Sequence, residues 1–115
     1  MARVRNTTQG TLLGDSVDVA RTKGARTRGL LGRRRLSRGE GMWIVPCGSI
    51  HTLFMQFAID VLYLDREQRV VRMEPALRPW NFSWGPVGAQ SVLELPAGVI
   101  RATGTQTGDR LAIEE

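Results

Sequence analysis

The sequence predicts a mainly β domain, a compact antiparallel β-sandwich or barrel of about seven or eight short strands with one short helix. Three observations point there. The apolar runs are short and rich in β-branched and aromatic residues, which fit a pleated surface better than a helix. Thirteen glycines and five prolines break the chain at frequent intervals. The largest apolar run, 50–65, is interrupted by His51, Gln56 and Asp60, so it reads as two buried strands and not as one long helix or a membrane span.

In chain order, 4–13 reads as a weak first strand with Gly10 inside it, and Gly14-Asp15 as a hairpin turn. Residues 16–20 alternate polar and apolar, as a half-buried strand does. Thr22 can cap a helix over 23–31, with a basic loop following to Gly41. Residues 42–45 form the next strand, stopped by Pro46. Strands at 52–55 and 59–64 follow, with a bend at 56–58. Residues 69–73 return as a hairpin partner of 59–64. Residues 75–90 read as a long loop carrying Trp80, Phe82 and Trp84. A strand at 91–95, a helical turn at 97–102 opened by Pro96, and a last strand at 110–113 complete the chain.

The 115 residues make one domain, 1–115, with 42% apolar residues, enough for a core. No segment has the length and apolarity of a signal peptide or a membrane span, so a cytoplasmic location is expected. A single cysteine rules out an internal disulfide and a multi-cysteine zinc site. The net charge of +5 is unevenly placed. Residues 1–41 carry ten Lys/Arg against three carboxylates; residues 42–115 carry six arginines against eight.

Several landmarks fall in a recognisable order: Arg-Gly-Leu-Leu-Gly-Arg at 28–33, Gly-Glu-Gly-Met at 39–42, Phe-Met at 54–55, Ile-Asp-Val-Leu-Tyr-Leu-Asp at 59–65, Val-Leu-Glu-Leu-Pro-Ala-Gly at 92–98 and Gly-Asp-Arg-Leu at 108–111. Together they resemble the domain of unknown function 192 family, over about 17–113. The resemblance implies a compact, mostly β domain, and it implies no activity, so no catalytic set carries over. Leu31, Gln56-Phe57-Ala58 and Gln68 depart from the family pattern.

Candidate sites are few. Cys47, His51 and Met55 are spaced four apart and make a soft ligand set suited to copper(I). Core packing of the two sulfurs is the preferred alternative, and no metal or cofactor is expected. His51 with Cys47 or Asp60 would give a hydrolase-like nucleophile and base, with Glu94 a further carboxylate able to orient the imidazole. Asp60, between Ile59 and Val61, is costly to bury unless paired. Arg26, Arg28 and Arg33 are candidate ion-pair partners, and a turn-capping role is the alternative. The arginine-rich segment 26–38 could contact phosphates without sequence selectivity. Trp80, Phe82 and Trp84 alternate, so an extended segment would present them on one side, either as a lid or as a contact surface with His51 nearby. The leading expectation is a non-enzymatic ligand- or protein-binding module using Trp80, Phe82, Trp84 and His51. The hydrolase and the nucleic-acid accessory protein are the alternatives.

Overall fold

The computed structural model describes residues 1–115. Nine strands and two short helices follow one another: β1 (Ala2–Asn6), β2 (Thr11–Ala20), α1 (Lys23–Arg28), β3 (Glu40–Ile44), β4 (Ser49–His51), β5 (Ile59–Leu64), β6 (Val70–Leu77), β7 (Phe82–Trp84), β8 (Ser91–Pro96), α2 (Val99–Thr103) and β9 (Leu111–Glu114). Seven strands form one sheet in the order β6-β5-β8-β3-β2-β1-β9, and β4 pairs with β7 in a small second sheet. The large sheet curls into a half-barrel. Its two edges meet at one corner, where Val70 N donates to Asp109 O at 2.8 Å and Leu111 N to Gln68 O at 2.9 Å.

The mainly β class and the 59–64/69–73 hairpin are as the sequence predicts. Other elements differ. The first turn is at Thr7–Gly10, and Gly14 lies inside β2. There Asp15 N and Ser16 N both donate to Gly39 O, an approach so close that a Cβ on Gly14 would sit 2.9 Å from that oxygen. The expected strand at 52–55 is a turn with Phe54 at φ 66°, and the strand before it is β4. Phe82–Trp84, expected in a loop, pairs with β4 as β7. The helix expected over 23–31 stops at Arg28, because Gly29 takes φ 49° and caps it. The sheet is also not wholly antiparallel, since β2 and β3 run parallel in register Ser16↔Glu40 to Ala20↔Ile44.

That parallel pair positions the site. Parallel neighbours need a crossover, and residues 21–39, with α1, supply one across the outer face of the sheet. Leu30, Met42, Ile44, Met55, Ile59, Val61, Tyr63 and Val92 form the core on that side. On the inner face α2 covers Val17, Trp43, Leu62, Leu64, Leu93 and Leu95. With both faces covered, every residue of β5 is buried, as are Ser91–Leu95 of β8. Asp60 and Glu94 therefore lie inside the protein, on opposite faces, since Glu94 pairs beside Val61 and not beside Asp60.

Candidate functional site

Asp60 points to the inner face. Its Oδ1 accepts from Ala76 N at 2.8 Å, and its Oδ2 accepts from Gly98 N at 3.1 Å and Ile100 N at 2.8 Å. The last two amides open α2, whose own N-cap Gly98 offers no side chain. Asp60 is thus a capping carboxylate brought from another strand. The ion pair with Arg26, Arg28 or Arg33 does not form. Arg33 instead bridges to Asp18 at 2.6 Å, and Arg26 Nη1 donates to Pro46 O at 3.1 Å. All three arginines lie near the crossover on the outer face, with the sheet between them and Asp60. Arg34, Arg35 and Arg38 are solvent-exposed.

Glu94 has the opposite fate. It is 3% exposed, yet no donor reaches its carboxyl, and burial alone pushes its pKa up to about 7. Its strand neighbours are Met42 on one side and Val61 on the other. Above it lies the end of α1, where a Cβ on Gly29 would come within 4.0 Å of Glu94 Oε1. The carboxyl forms part of the wall of a pocket of about 280 Å³ between α1 and the loop after β3. Leu30, Ile44, Ile50 and Met55 give the pocket its apolar surface, and Arg26, Arg28, Cys47 and His51 give it polar groups.

Cys47, His51 and Met55 are therefore brought to one cavity, but not into bonding contact. Cys47 Sγ donates to Ser49 O at 3.0 Å. Burial raises the thiol pKa; the Ser49 hydrogen bond lowers it, Glu94 raises it and Arg26 lowers it, leaving it above the ordinary thiol range. His51 Nδ1 accepts from Leu53 N at 3.2 Å, which fixes the neutral ring as the Nε2–H tautomer. The imidazole activates neither the thiol nor Asp60, so the pairing a hydrolase needs is not assembled here.

The aromatic residues form a ridge beside the pocket. Trp80, Phe82 and Trp84 are 60, 56 and 61% exposed, and Phe54, expected within the 52–55 strand, is 69% exposed. Phe54 packs on Trp80 at 4.7 Å between centroids, Phe82 stacks on Trp84 at 5.9 Å, and His51 meets Phe82 at 6.1 Å. His51 thus belongs to both the ridge and the pocket. Phe54 and Trp80 have φ of 66° and 67°, a region bulky side chains avoid. The small sheet is held to the large one through Tyr63, whose hydroxyl donates to Ser83 Oγ at 2.8 Å; the Ser83 hydroxyl in turn donates to Glu74 Oε2 at 3.1 Å.

A second cleft, of about 640 Å³, lies on the other side of α1. Most of its charges are already paired, Arg33 with Asp18 and Arg21 with Glu115. Glu94 is the buried group of the pocket that the sequence analysis names only as a further carboxylate. Its signal was present: an acid in Val92-Leu93-Glu94-Leu95, where apolar residues of both parities mark a strand covered on both faces.

Fold and site together define a mainly β half-barrel with a buried, unpaired carboxyl in a pocket beneath its crossover helix. The chain belongs to the DUF192 family of uncharacterised proteins, whose model matches residues 4–113. A UPF0127 protein of Thermococcus sibiricus is 34% identical over 111 residues, covering 92% of this chain and 71% of that one. Among solved structures, a protein of unknown function from Novosphingobium aromaticivorans superposes with a TM-score of 0.83 at 21% identity, over 96% of this chain and 82% of that one. A Sinorhizobium meliloti chain whose name proposes it as a transcription regulator gives 0.82 at 23% identity, over 96% and 90%. Both likenesses are of fold. No helix of the chain is long and apolar enough to cross a membrane.

Proposed function

We propose that the domain is a non-enzymatic binding module that takes a small ligand into the pocket beneath α1. The observation that carries this reading is Glu94. A buried carboxyl without a hydrogen-bond donor is costly, and such a group in a cleft marks a candidate functional site. The absence of a Cys47–His51 hydrogen bond favours binding over the hydrolase-like alternative. Amide chemical-shift mapping with a small-molecule library tests the reading. Bound compounds should move Gly29, Leu30, Cys47 and Met55, and Thr27→Trp, at an exposed position on the pocket lining, should block them. Compounds that map elsewhere, or that still bind Thr27→Trp, would remove the pocket from consideration.

A second reading is that the ridge of Phe54, Trp80, Phe82 and Trp84 docks a protein partner, as the sequence analysis expects for Trp80, Phe82 and Trp84. It is favoured by two bulky residues held at positive φ in mutual contact on the surface, since backbone strain of this kind concentrates at contact sites. The two readings share His51.

A further inference from the structure

Two polar groups in the pocket lack partners, and they are of opposite kind. The Glu94 carboxyl accepts, and no donor reaches it. The Arg26 Nε–H donates, and it is buried with no acceptor although Nη1 of the same guanidinium reaches Pro46 O. Both residues line the same cavity, and no salt bridge joins them. A ligand with one charge would satisfy one group and leave the other desolvated.

We propose that the pocket binds a small zwitterion, with its ammonium at Glu94, its carboxylate at Arg26 and an apolar body against Leu30, Ile44, Ile50 and Met55. This rests on the pocket reading above and adds the ligand class to it. The other groups facing Glu94 fit the assignment. Arg28 on α1 adds positive charge for the carboxylate. Cys47 is held as a thiol, and His51 Nδ1 is already occupied by the Leu53 amide, so neither offers the ammonium a competing acceptor. The adjoining strand residues Met42 and Val61 are apolar. An arriving ammonium favours the ionised carboxyl, so binding releases a proton near pH 7 and affinity rises with pH across that range.

Titration calorimetry with four probes tests this: L-leucine and ε-aminocaproate as zwitterions of short and long span, isocaproate as the acid alone, and isoamylamine as the amine alone. At least one zwitterion should bind about tenfold or more tighter than both single-charge probes. Glu94→Gln should weaken that zwitterion by about tenfold or more and leave isocaproate unchanged, and Arg26→Gln should weaken the zwitterion and leave isoamylamine unchanged. Thermal melts establish that both variants fold. Measurements at pH 6 and pH 8 add a readout that a merely structural Glu94 would not move, because wild-type affinity should rise with pH and Glu94→Gln affinity should not. Isocaproate or isoamylamine binding as tightly as the better zwitterion would overturn the zwitterion while leaving the pocket standing. A null result with all four probes would overturn the zwitterion, and the library mapping on Gly29 and Cys47 would then decide the pocket separately.

Discussion

Replacing Glu94 by glutamine should make the protein more stable above neutral pH and leave it nearly unchanged in mild acid. Burial raises the carboxyl from an ordinary 4.5 to about 7. Between those values the folded chain holds a proton that the unfolded chain has released, so folding stability falls as pH rises from about 4.5 to 7 and is level above. Each unit is worth about 1.4 kcal/mol, so the loss at pH 8 is about 3 kcal/mol. Glutamine matches the protonated acid in shape and cannot ionise. Its advantage should therefore be near zero at pH 4.5 to 5 and reach about 3 kcal/mol at pH 8, or roughly 10 °C in midpoint for a domain of this size. Urea titrations of both proteins at pH 5, 6, 7 and 8 read this directly. All other ionisable groups are common to the two proteins, so the difference isolates Glu94. A difference that stays constant with pH would refute the reasoning, since it would show that a donor or solvent already satisfies the carboxylate in the folded state.

Asp60→Ala should destabilise by about 2 kcal/mol or more, because the buried Ile100 amide and the part-buried Ala76 and Gly98 amides lose their acceptor. Asp60→Asn, which keeps one carbonyl oxygen, should cost less; equal costs in thermal melts would mean that charge and not amide capping matters. Trp84→Ala should change stability by less than about 1 kcal/mol, as surface substitutions do, and a large loss in denaturant titration would make the ridge a structural lid. Gly85→Ala should be costly despite its ordinary chemistry, because a Cβ there would sit 2.6 Å from the buried Tyr63 ring; an unchanged midpoint would show that β7 shifts freely on the large sheet. Any nucleic-acid affinity should be weak, insensitive to sequence and steeply salt-dependent, resting on exposed Arg34, Arg35 and Arg38. Filter binding at two salt concentrations checks it, and base-selective binding that survives physiological salt would reverse the ranking of the alternatives.

Much of the large sheet was legible because its strands carry their own signal. Ile59–Leu64 and Ser91–Leu95 are apolar on both parities, which marks strands covered on two faces, and both are central in the sheet. The elements that were misplaced depend on distant backbone. Gly14-Asp15 has the composition of a hairpin turn, but Gly39 lies against it and holds it in a strand. Phe82–Trp84 reads as loop from its prolines and glycines, but a three-residue partner, β4, pairs with it. Such pairings belong to segments 24 to 33 residues away, as in Ser16↔Glu40 and Ile50↔Ser83, and local propensity is silent about them.

The candidate site shows the same limit in sharper form. Asp60 and Glu94 carry one sequence signal, a lone acid in an apolar strand; both are buried, although the sequence analysis drew that expectation for Asp60 alone. It does not distinguish their roles. Adjacent strands of one sheet place them on opposite faces, and the faces differ in what covers them. The inner face receives the start of α2 and the β6 bulge at Ala76, both of which present free N–H groups, so Asp60 becomes a cap. The outer face receives the end of α1, where orphan groups are carbonyls and cannot donate to a carboxyl. Glu94 is therefore left without a donor by the direction in which one six-residue helix runs across the sheet, and that direction follows from the parallel β2–β3 pair. The crossover that makes the pair parallel is thus also what leaves the Glu94 carboxyl without a donor from the chain.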